Sequence, residues 1–347
     1  MANKVLIFSD VHWSTTSSVI KKRGTKYSTR LEHLINSMNW VNKLAEDEDC
    51  SFMICAGDMM DQSACNDEEI TATREIEWND LNCYFLCGNH ESSVNDLSFS
   101  TVKLFEGKNH FIIDNPYLLE PKNTTTQIHF IPYIVESDRT DLANYLTNVD
   151  KSKKQVVISH NDIAGIQYGG FTSKLGFNIT EIENNVDLYL NGHLHNSEFI
   201  TKKILNVGSL SAHNFTNDSF NYKYGAWILD LDTLELKFFE NPYAFNFYKI
   251  EINDSKDLKV LDTLKESAVV TIKYNEALDK EVKQLVQLNK NIIYCRYIIK
   301  KDIVSTSLIE SNISNLTVDY ITKFAELALE KLENTQILSD ELAIICA

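Results

Sequence analysis

Two histidines, His193 and His195, stand one residue apart directly after an apolar run and Gly192. Imidazole nitrogens are common metal ligands, and in an extended backbone residues i and i+2 point to the same side. The two rings could therefore reach into one site. A pair of this kind is more often an ordinary surface or core feature, so its meaning depends on whether the chain supplies matching ligands.

Four further apolar runs also end in side chains that can bind a metal ion. Each run is short and uninterrupted, as expected of a strand buried in a sheet. In an α/β sheet the carboxyl ends of the strands gather at one edge, which would bring together side chains that are far apart in the sequence. The residues at these four ends are Asp10 and His12, Asp58, Asn89 and His90, and His160.

The combined set of imidazole nitrogens, carboxylates and an amide oxygen suits Mn²⁺, Fe²⁺, Zn²⁺ or Mg²⁺. A shared carboxylate would help to hold two cations about 3.5–4 Å apart, and Asp58 is the candidate for that bridge. Each motif alone has an ordinary explanation, since Asp10 could cap a helix and Gly57-Asp58 could form a simple turn. Together they are more telling, because five of the nine histidines fall at these strand ends.

The segments that would position these residues alternate between strand and helix patterns. Helical spacing of apolar residues begins at Leu31, and a second helix is expected after an N-cap at Asn66 or Asp67. A third helix is predicted over 138–149, and a closing hairpin around 230–233. The predicted buried strands are 5–8, 52–56, 83–87, 128–132, 156–159, 186–190 and 204–207.

The pattern changes near Asn241-Pro242, where a small unit of alternating strands and helices begins. We therefore predict three parts: residues 1–243 carrying the site, an α/β capping domain over 244–304, and a helical segment over 305–347. The last segment contains an amphipathic helix over 316–333, which could bind a partner or simply pack against the chain.

Composition limits the classes of partner. The 347-residue chain has 49 acidic and 33 basic side chains, a net charge of −16, which argues against broad electrostatic binding to nucleic acid. A local basic cluster remains compatible with DNA contact. The candidate is Lys21, Lys22, Arg23 and Lys26, and a solvated loop is its alternative explanation.

The seven cysteines indicate a reducing compartment. Their number is odd and no two are spaced as C-x-x-C, so disulfides and a structural zinc site are not expected. The apolar stretch at the N-terminus is too short for a signal peptide, and no later run is long enough to span a membrane. We expect a cytoplasmic protein, in the host cytoplasm if its source is viral, with no membrane partner.

The order of these motifs, D-x-H, G-D, G-N-H, H and G-H-x-H, resembles that of the calcineurin-like metallophosphoesterase superfamily over about residues 4–240. The resemblance implies an α/β (α+β) fold in which a β-sandwich is flanked by helices, with two divalent metal ions at one edge. It also implies roles: Asp10, His12, Asp58 and His195 hold the first ion, Asp58, Asn89, His160 and His193 hold the second, and His90 is a general acid or transition-state stabiliser.

Two features bear on the substrate. Gly88-Asn89-His90-Glu91 resembles the motif found in phosphoprotein phosphatases, but the arginines that bind a phosphomonoester in those enzymes do not follow here. The segment 57–61, G-D-M-M-D, instead resembles SbcD-type DNA-repair nucleases, a family that includes recombination endonucleases of T-even phages, and the small α/β unit after the core agrees with that layout.

The nuclease resemblance implies a Mn²⁺-dependent DNA endo/exonuclease that cleaves phosphodiesters by attack of a metal-bridging hydroxide. Its implied partners are DNA and an SbcC-like coiled-coil ATPase subunit, and a homodimer stays open. The alternatives are a phosphomonoesterase or cyclic-nucleotide phosphodiesterase of the same superfamily, and a non-catalytic scaffold.

Overall fold

The structure is a computed structural model that describes residues 3–15, 26–92, 96–168, 171–211 and 222–300. Its helices are α1 Thr29–Asp47, α2 Asp67–Ala72, α3 Ile179–Asn185 and α4 Asp279–Leu288. Its strands are β1 Lys4–Phe8, β2 Cys50–Cys55, β3 Asn82–Leu86, β4 His110–Ile113, β5 Tyr117–Leu119, β6 Thr126–Ile131, β7 Lys154–Ser159, β8 Ile163–Ala164, β9 Gln167–Tyr168, β10 Phe171–Thr172, β11 Phe177–Asn178, β12 Leu188–Asn191, β13 Glu198–Phe199, β14 Ile204–Asn206, β15 Gly225–Asp230, β16 Leu236–Glu240, β17 Asn246–Ile252, β18 Ala268–Asn275 and β19 Ile292–Lys300.

Two six-stranded sheets form the main body. The first has the order β16-β15-β1-β2-β3-β4, in which β1 to β4 are parallel, β15 is antiparallel to β1, and β16 is antiparallel to β15. The second has the order β13-β14-β12-β7-β6-β5, in which the four central strands are parallel. The parallel strands of each sheet therefore end at a common edge.

Side chains on both faces of each sheet are buried, which explains why the strands are apolar runs. In β1, Val5 and Ile7 pack into the core between the two sheets, whereas Leu6 and Phe8 pack against α1. On the far side of the second sheet, Val157 joins a cluster with Ile182 of α3. The arrangement is the predicted sandwich flanked by helices, and each fully buried apolar side chain contributes roughly 1.5–3 kcal/mol to it.

The predicted hairpin is confirmed by β15 and β16, and the predicted cap of α2 is Asn66. Its side chain accepts a hydrogen bond from the backbone of Glu69, whose side chain accepts one in return from the backbone of Asn66. This reciprocal pair satisfies two backbone donors at the start of the helix. Pro132 directly follows β6, which lies between two other strands and is not at the edge of its sheet. The proline therefore marks the end of this strand.

The helix predicted over 138–149 is wrong. The structure has only the 3₁₀ helices Glu136–Asp138 and Leu142–Tyr145 there. Leu142 is the single buried residue of 138–149, so the segment lacks the apolar stripe by which a helix gains stability from packing. Asn148 also adopts a positive φ of 51°, which interrupts helical geometry.

A three-stranded sheet, in the order β17-β18-β19, follows the main body. Val270 and Ile272 of β18 pack with Val282 of α4 in a separate apolar cluster. The proposed domain boundaries at residues 243 and 304 stay predictions, and the helix predicted over 316–333 lies outside the described residues. No helix among the described residues is both long and apolar enough to cross a membrane.

Candidate metal centre

Five strand ends deliver the predicted residues to one edge of the sandwich. Asp10 and His12 follow β1, Asp58 follows β2, and Asn89 and His90 follow β3. From the second sheet, His160 follows β7, while His193 and His195 follow β12. Backbone hydrogen bonds join the first two turns, since the amide of Asp10 donates to Gly57 and that of His12 donates to Asp58, at 3.0 and 3.1 Å.

Four of these residues adopt a left-handed backbone, which is uncommon for residues with a side chain. The φ angles are 51° at Asp10, 49° at His12, 49° at Asp58 and 73° at His193. Strain of this kind persists where the surrounding structure imposes it, and it is concentrated at functional sites. The strained backbone of these turns therefore sets the direction in which the four side chains point.

The turns also need glycine, because they approach one another too closely for a side chain. A Cβ atom at Gly57 would lie 2.1 Å from Nδ1 of His160. One at Gly88 would lie 2.1 Å from Oδ1 of Asp58. Glycine at position 57 lets loops of the two sheets come into contact, and glycine at position 88 lets two neighbouring turns of the first sheet do so.

The first group of ligands consists of Asp10, His12 and His195. Nε2 of His12 lies 3.0 Å from Nε2 of His195, and Oδ1 of Asp10 lies 3.9 and 3.8 Å from these two nitrogens. Two nitrogens each about 2.1 Å from one ion, at roughly a right angle, would be separated by about 3 Å. The two imidazoles are thus spaced like ligands of a common cation.

The second group consists of Asn89, His160 and His193. Nδ1 of His193 lies 3.0 Å from Oδ1 of Asn89, and the rings of His160 and His193 meet edge to face with centroids 5.2 Å apart. Together with Asp58, these two histidines form a cluster whose ligand atoms all lie within 4.8 Å of one another.

Asp58 stands between the two groups. Its Oδ2 lies 3.0 Å from Nε2 of His160 and 4.0 Å from Nε2 of His12. Burial alone would raise the pKa of Asp58 and lower that of His160, but their mutual attraction outweighs burial. The pKa of Asp58 is therefore held below its usual range, and that of His160 rises to about 10.

The donor atoms fit divalent cations. Within the described part of the chain, both carboxylate oxygens of Asp10 are buried without a hydrogen-bond partner. Nδ1 of His160 lies 2.8 Å from the carbonyl of Ala56, and since a carbonyl only accepts, Nδ1 carries the proton. Nε2 of His160 then faces the Asp58 carboxylate at 3.0 Å, where the raised pKa of His160 places a proton between them and a divalent cation can take its place. The unpartnered oxygens of Asp10 are likewise accounted for by a bound ion.

His193 belongs to the second group and His195 to the first, so the pair spans the candidate site. The i, i+2 spacing predicts an extended backbone at this point, whereas β12 ends at Asn191 and His193 has a positive φ. Nδ1 of His193 faces Asn89, while Nε2 is 3.2 Å from Oδ1 of Asp162. A carboxylate on the outer nitrogen fixes the tautomer that leaves Nδ1 for a metal.

The calcineurin-like phosphoesterase family matches residues 3–197, a segment that contains every residue of both groups. The chain belongs to this family. The sandwich of two sheets flanked by helices is the fold that the resemblance in the sequence implied. No curated protein matches the sequence.

Three of the solved structures that match this chain do so at low sequence identity. A purple acid phosphatase from yellow lupin (Lupinus luteus) seeds is 13% identical, with a TM-score of 0.44 over 70% of this chain and 52% of its own. A dimetal phosphatase from Danio rerio is 10% identical, with a TM-score of 0.45 over 69% and 96%. The nuclease MPE of Pseudomonas putida is 13% identical, with a TM-score of 0.26 over 64% and 83%. The chain thus spans about half of the length of the lupin enzyme.

His90 lies beside the first group and has an exposed side chain. Its side chain is 43% exposed, and its ring meets that of His12 edge to face at 4.8 Å. Nδ1 lies 2.9 Å from the carbonyl of Asp61 and donates to it, so Nε2 is the nitrogen that remains for a bound molecule. This geometry suits a proton donor better than a buried ligand.

Asp61 was not among the predicted site residues of this calcineurin-like phosphoesterase, although it closes the G-D-M-M-D segment. Its Oδ1 accepts a hydrogen bond from Nδ1 of His12 at 3.1 Å. This bond fixes the tautomer that presents Nε2 of His12 to the first group. Burial alone would lower the pKa of His12, but the bond to Asp61 and the charges of Asp58 and Asp10 raise it. Its position three residues after Asp58 was the available signal.

Replacing Asp61 by alanine is expected to weaken metal binding or turnover by roughly 10- to 100-fold, the usual effect of removing a carboxylate that orients a metal-bound histidine. Asp61→Asn is the matched control, because its amide oxygen can still accept the proton of His12 and should retain most of the activity. Titrating activity against Mn²⁺ concentration measures both. Equal loss in the two variants would contradict an orienting role.

Glu91 is a second supporting residue that the sequence pattern does not indicate. It is fully buried; its Oε1 accepts the backbone N–H of Met60 at 3.0 Å, and its Oε2 accepts that of Gly88 at 2.8 Å. The side chain therefore ties the turn after β2 to the turn after β3, which carry Asp58 and Asn89.

The substitution Glu91→Gln should lower the free energy of unfolding by about 1–3 kcal/mol, because one amide N–H would face a backbone N–H and leave a buried donor unsatisfied. Thermal and denaturant unfolding measure the loss. Glu235→Gln, on the exposed hairpin turn, serves as the control and should change stability by less than about 0.5 kcal/mol. An unfolding curve for Glu91→Gln that matches the control would show that the two turns do not depend on this tie.

Arg30 supports the turn that follows β1. It is fully buried in α1, and its Nη2 donates to the carbonyls of Val11 and His12 at 3.1 and 3.4 Å. Burial lowers the pKa of Arg30 to about 10, so the group stays charged at neutral pH. The sequence pattern does not indicate this role, because Arg30 looks like an ordinary residue in the first turn of a helix.

Of the four predicted DNA-contact residues, the structure describes Lys26 alone. Lys21, Lys22 and Arg23 lie outside the described residues. Lys26 forms an ion pair with Glu75 at 2.6 Å. Contact of this segment with DNA stays a prediction.

Proposed function

We propose that this chain is a dinuclear-metal phosphodiesterase that cleaves DNA, with Mn²⁺ as the preferred ion and Mg²⁺, Fe²⁺ or Zn²⁺ as alternatives. The observation that carries the proposal is the position of Asp58. Its Oδ2 lies 3.0 Å from the second group and 4.0 Å from the first, so one carboxylate can serve two cations.

Each residue then has a defined task. When bound at these residues, two divalent cations would neutralise a phosphate and activate a water molecule as the nucleophile. His90, whose Nε2 is free of the bond that holds Nδ1, can give a proton to the leaving oxygen. Asp61 holds the ring of His12. The first ion falls to Asp10, His12, His195 and Asp58, and the second to Asp58, Asn89, His160 and His193.

A diester fits the surroundings better than a monoester. A phosphomonoester dianion is usually gripped by an exposed guanidinium group that binds two oxygens. Two of the described arginines lie near the centre, and both already bind backbone carbonyls. Arg30 donates to backbone carbonyls of the first turn. The side chain of Arg139 is only 4% exposed and donates to the carbonyl of Ile134. A diester carries one charge fewer and needs no such clamp.

DNA as the substrate, and an SbcC-like coiled-coil ATPase as the partner, are supported by the G-D-M-M-D segment and by the small α/β sheet β17-β18-β19 after the core. Self-association as a homodimer is a further proposal to be tested by the mass of the protein in solution. An intracellular site of action is supported by the six free cysteines within the described residues.

The test is cleavage of a labelled DNA hairpin in Mn²⁺, with and without the candidate ATPase, beside p-nitrophenyl phosphate as a monoester. We expect cleavage of the hairpin that is lost on chelation of the metal and restored by Mn²⁺. Rapid turnover of the monoester with no cleavage of the hairpin under either condition would overturn the proposal in favour of a phosphomonoesterase.

A further inference from the structure

A cavity of about 390 Å³ lies beside the second group of ligands, and Tyr133 forms its wall toward them. Tyr133 follows β6 at the same edge of the sheet as the metal-binding turns, and its backbone N–H donates to the carbonyl of Cys87 at 3.0 Å. Its half-buried ring lies with its centroid 6.4 Å from that of His193. A substrate held at the centre would therefore extend directly into this cavity.

The charge of the cavity excludes a second phosphate. Its lining includes the carboxylates of Asp96, Asp114 and Asp138, and it contains no lysine or arginine among the described residues. Lys103 pairs with Asp114 at 3.3 Å from outside the lining, which leaves the cavity negative. A continuing DNA backbone would be repelled here. The part of the substrate that enters must be uncharged.

The remaining walls suit a flat ring with amino groups. Pro116, Ile134 and Val135 supply apolar surface in the same lining as Tyr133, and the volume falls within the range of pockets that bind small molecules. Tyrosine is a common stacking platform for nucleobases. Carboxylates accept hydrogen bonds from the exocyclic amino group of cytosine, whereas thymine offers no such donor.

We propose that this cavity binds the terminal nucleoside of the cleaved diester, with its base stacked on Tyr133 and its amino group directed to a carboxylate of the lining. This proposal rests on the proposed phosphodiesterase function and adds to it a preference for an uncharged end bearing cytosine over one bearing thymine. Cleavage would then release the final nucleotide of a strand.

The experiment compares three p-nitrophenyl phosphodiesters that share a leaving group: the methyl ester and the esters of deoxycytidine and thymidine 5′-phosphate. In Tyr133→Ala the KM for both nucleoside esters should rise about tenfold, the effect of losing one base stack, while the methyl ester is unaffected. Tyr133→Phe should restore the KM, because it keeps the ring. Tyr297→Ala, in β19, is the matched control.

A second variant tests the carboxylates. The unmodified protein should prefer the deoxycytidine ester over the thymidine ester by about 10- to 100-fold, the size of one hydrogen bond to a charged group. The triple variant D96A/D114A/D138A, which removes every carboxylate of the lining, should lose this preference while its activity on the methyl ester stays unchanged. A preference that survives in the triple variant would overturn the assignment of the amino group to the lining.

The outcomes separate the two proposals. Failure to cut the DNA hairpin and all three esters overturns the phosphodiesterase function itself. Cleavage of the hairpin or of the methyl ester, with a KM for nucleoside esters that Tyr133→Ala leaves unchanged, overturns the nucleoside cavity alone. The same holds if Tyr133→Ala raises the KM for the methyl ester equally, because the leaving group would then be what occupies the cavity.

Discussion

The variant Asp58→Ala is expected to lose both metal ions and at least about 1,000-fold in turnover, since the ions contribute several kcal/mol of transition-state stabilisation and each 1.36 kcal/mol is a factor of about ten in rate. The reason is geometric. Oδ2 of Asp58 lies 3.0 Å from Nε2 of His160 and 4.0 Å from Nε2 of His12, so no other carboxylate faces both groups in the described residues.

Asp10→Ala is the matched comparison, because Asp10 faces only His12 and His195 of the first group. Metal content measured by mass spectrometry after desalting should be about two ions in the unmodified protein, one in Asp10→Ala and none in Asp58→Ala. Circular dichroism establishes that each variant is folded. Two ions retained by folded Asp58→Ala would show that this carboxylate is not the bridge.

The layout of the site could be predicted because parallel strands impose it. Once Val5–Phe8, Phe52–Cys55 and Cys83–Leu86 are recognised as buried strands of one sheet, their ends must meet, whatever the loops do. The glycines at 57 and 88 carry further information, since the close approach that they permit is visible in the sequence as a residue without a side chain. These two signals depend on the backbone alone.

Asp162 could not be predicted as a supporting residue, and Asp61 was marked only by its position three residues after Asp58, because both act through space. Asp61 and Asp162 are ordinary loop carboxylates until the fold places them 3.1 and 3.2 Å from ring nitrogens of His12 and His193. The failed helix over 138–149 has a related cause. The stability of a helix depends on what it packs against, and Leu142 is the single fully buried residue of that segment, with Tyr145 and Leu146 only partly buried against the same cluster.

The surroundings of the centre also explain how an acidic chain could act on a polyanion. The two cations would supply the positive charge that the side chains lack, and the negative cavity beside Tyr133 would direct the backbone away from that side. The direction in which a strand lies is then set by where phosphates are excluded as well as by where they are bound. A net charge of −16 is compatible with a nuclease on these terms.

The variant His90→Ala should keep both ions and lose roughly 100- to 10,000-fold in kcat, the range expected for removal of a general acid. His90 donates from Nδ1 to the carbonyl of Asp61 at 2.9 Å, and its 43% exposed side chain leaves Nε2 for the substrate. Because the lost contact forms with the leaving oxygen during reaction, KM should change little.

His33→Ala is the control, since His33 is a half-buried histidine whose Nδ1 also bonds a backbone carbonyl, that of Tyr243, at 3.0 Å, and it should retain nearly full activity. A substrate with a better leaving group separates acid catalysis from binding. Replacing the DNA leaving oxygen by p-nitrophenolate, which needs no proton, should recover most of the rate of His90→Ala, because the missing step is then unnecessary. If both substrates lost the same factor, His90 would act by stabilising the phosphate and not by giving a proton, and loss of metal from this variant would make it a ligand.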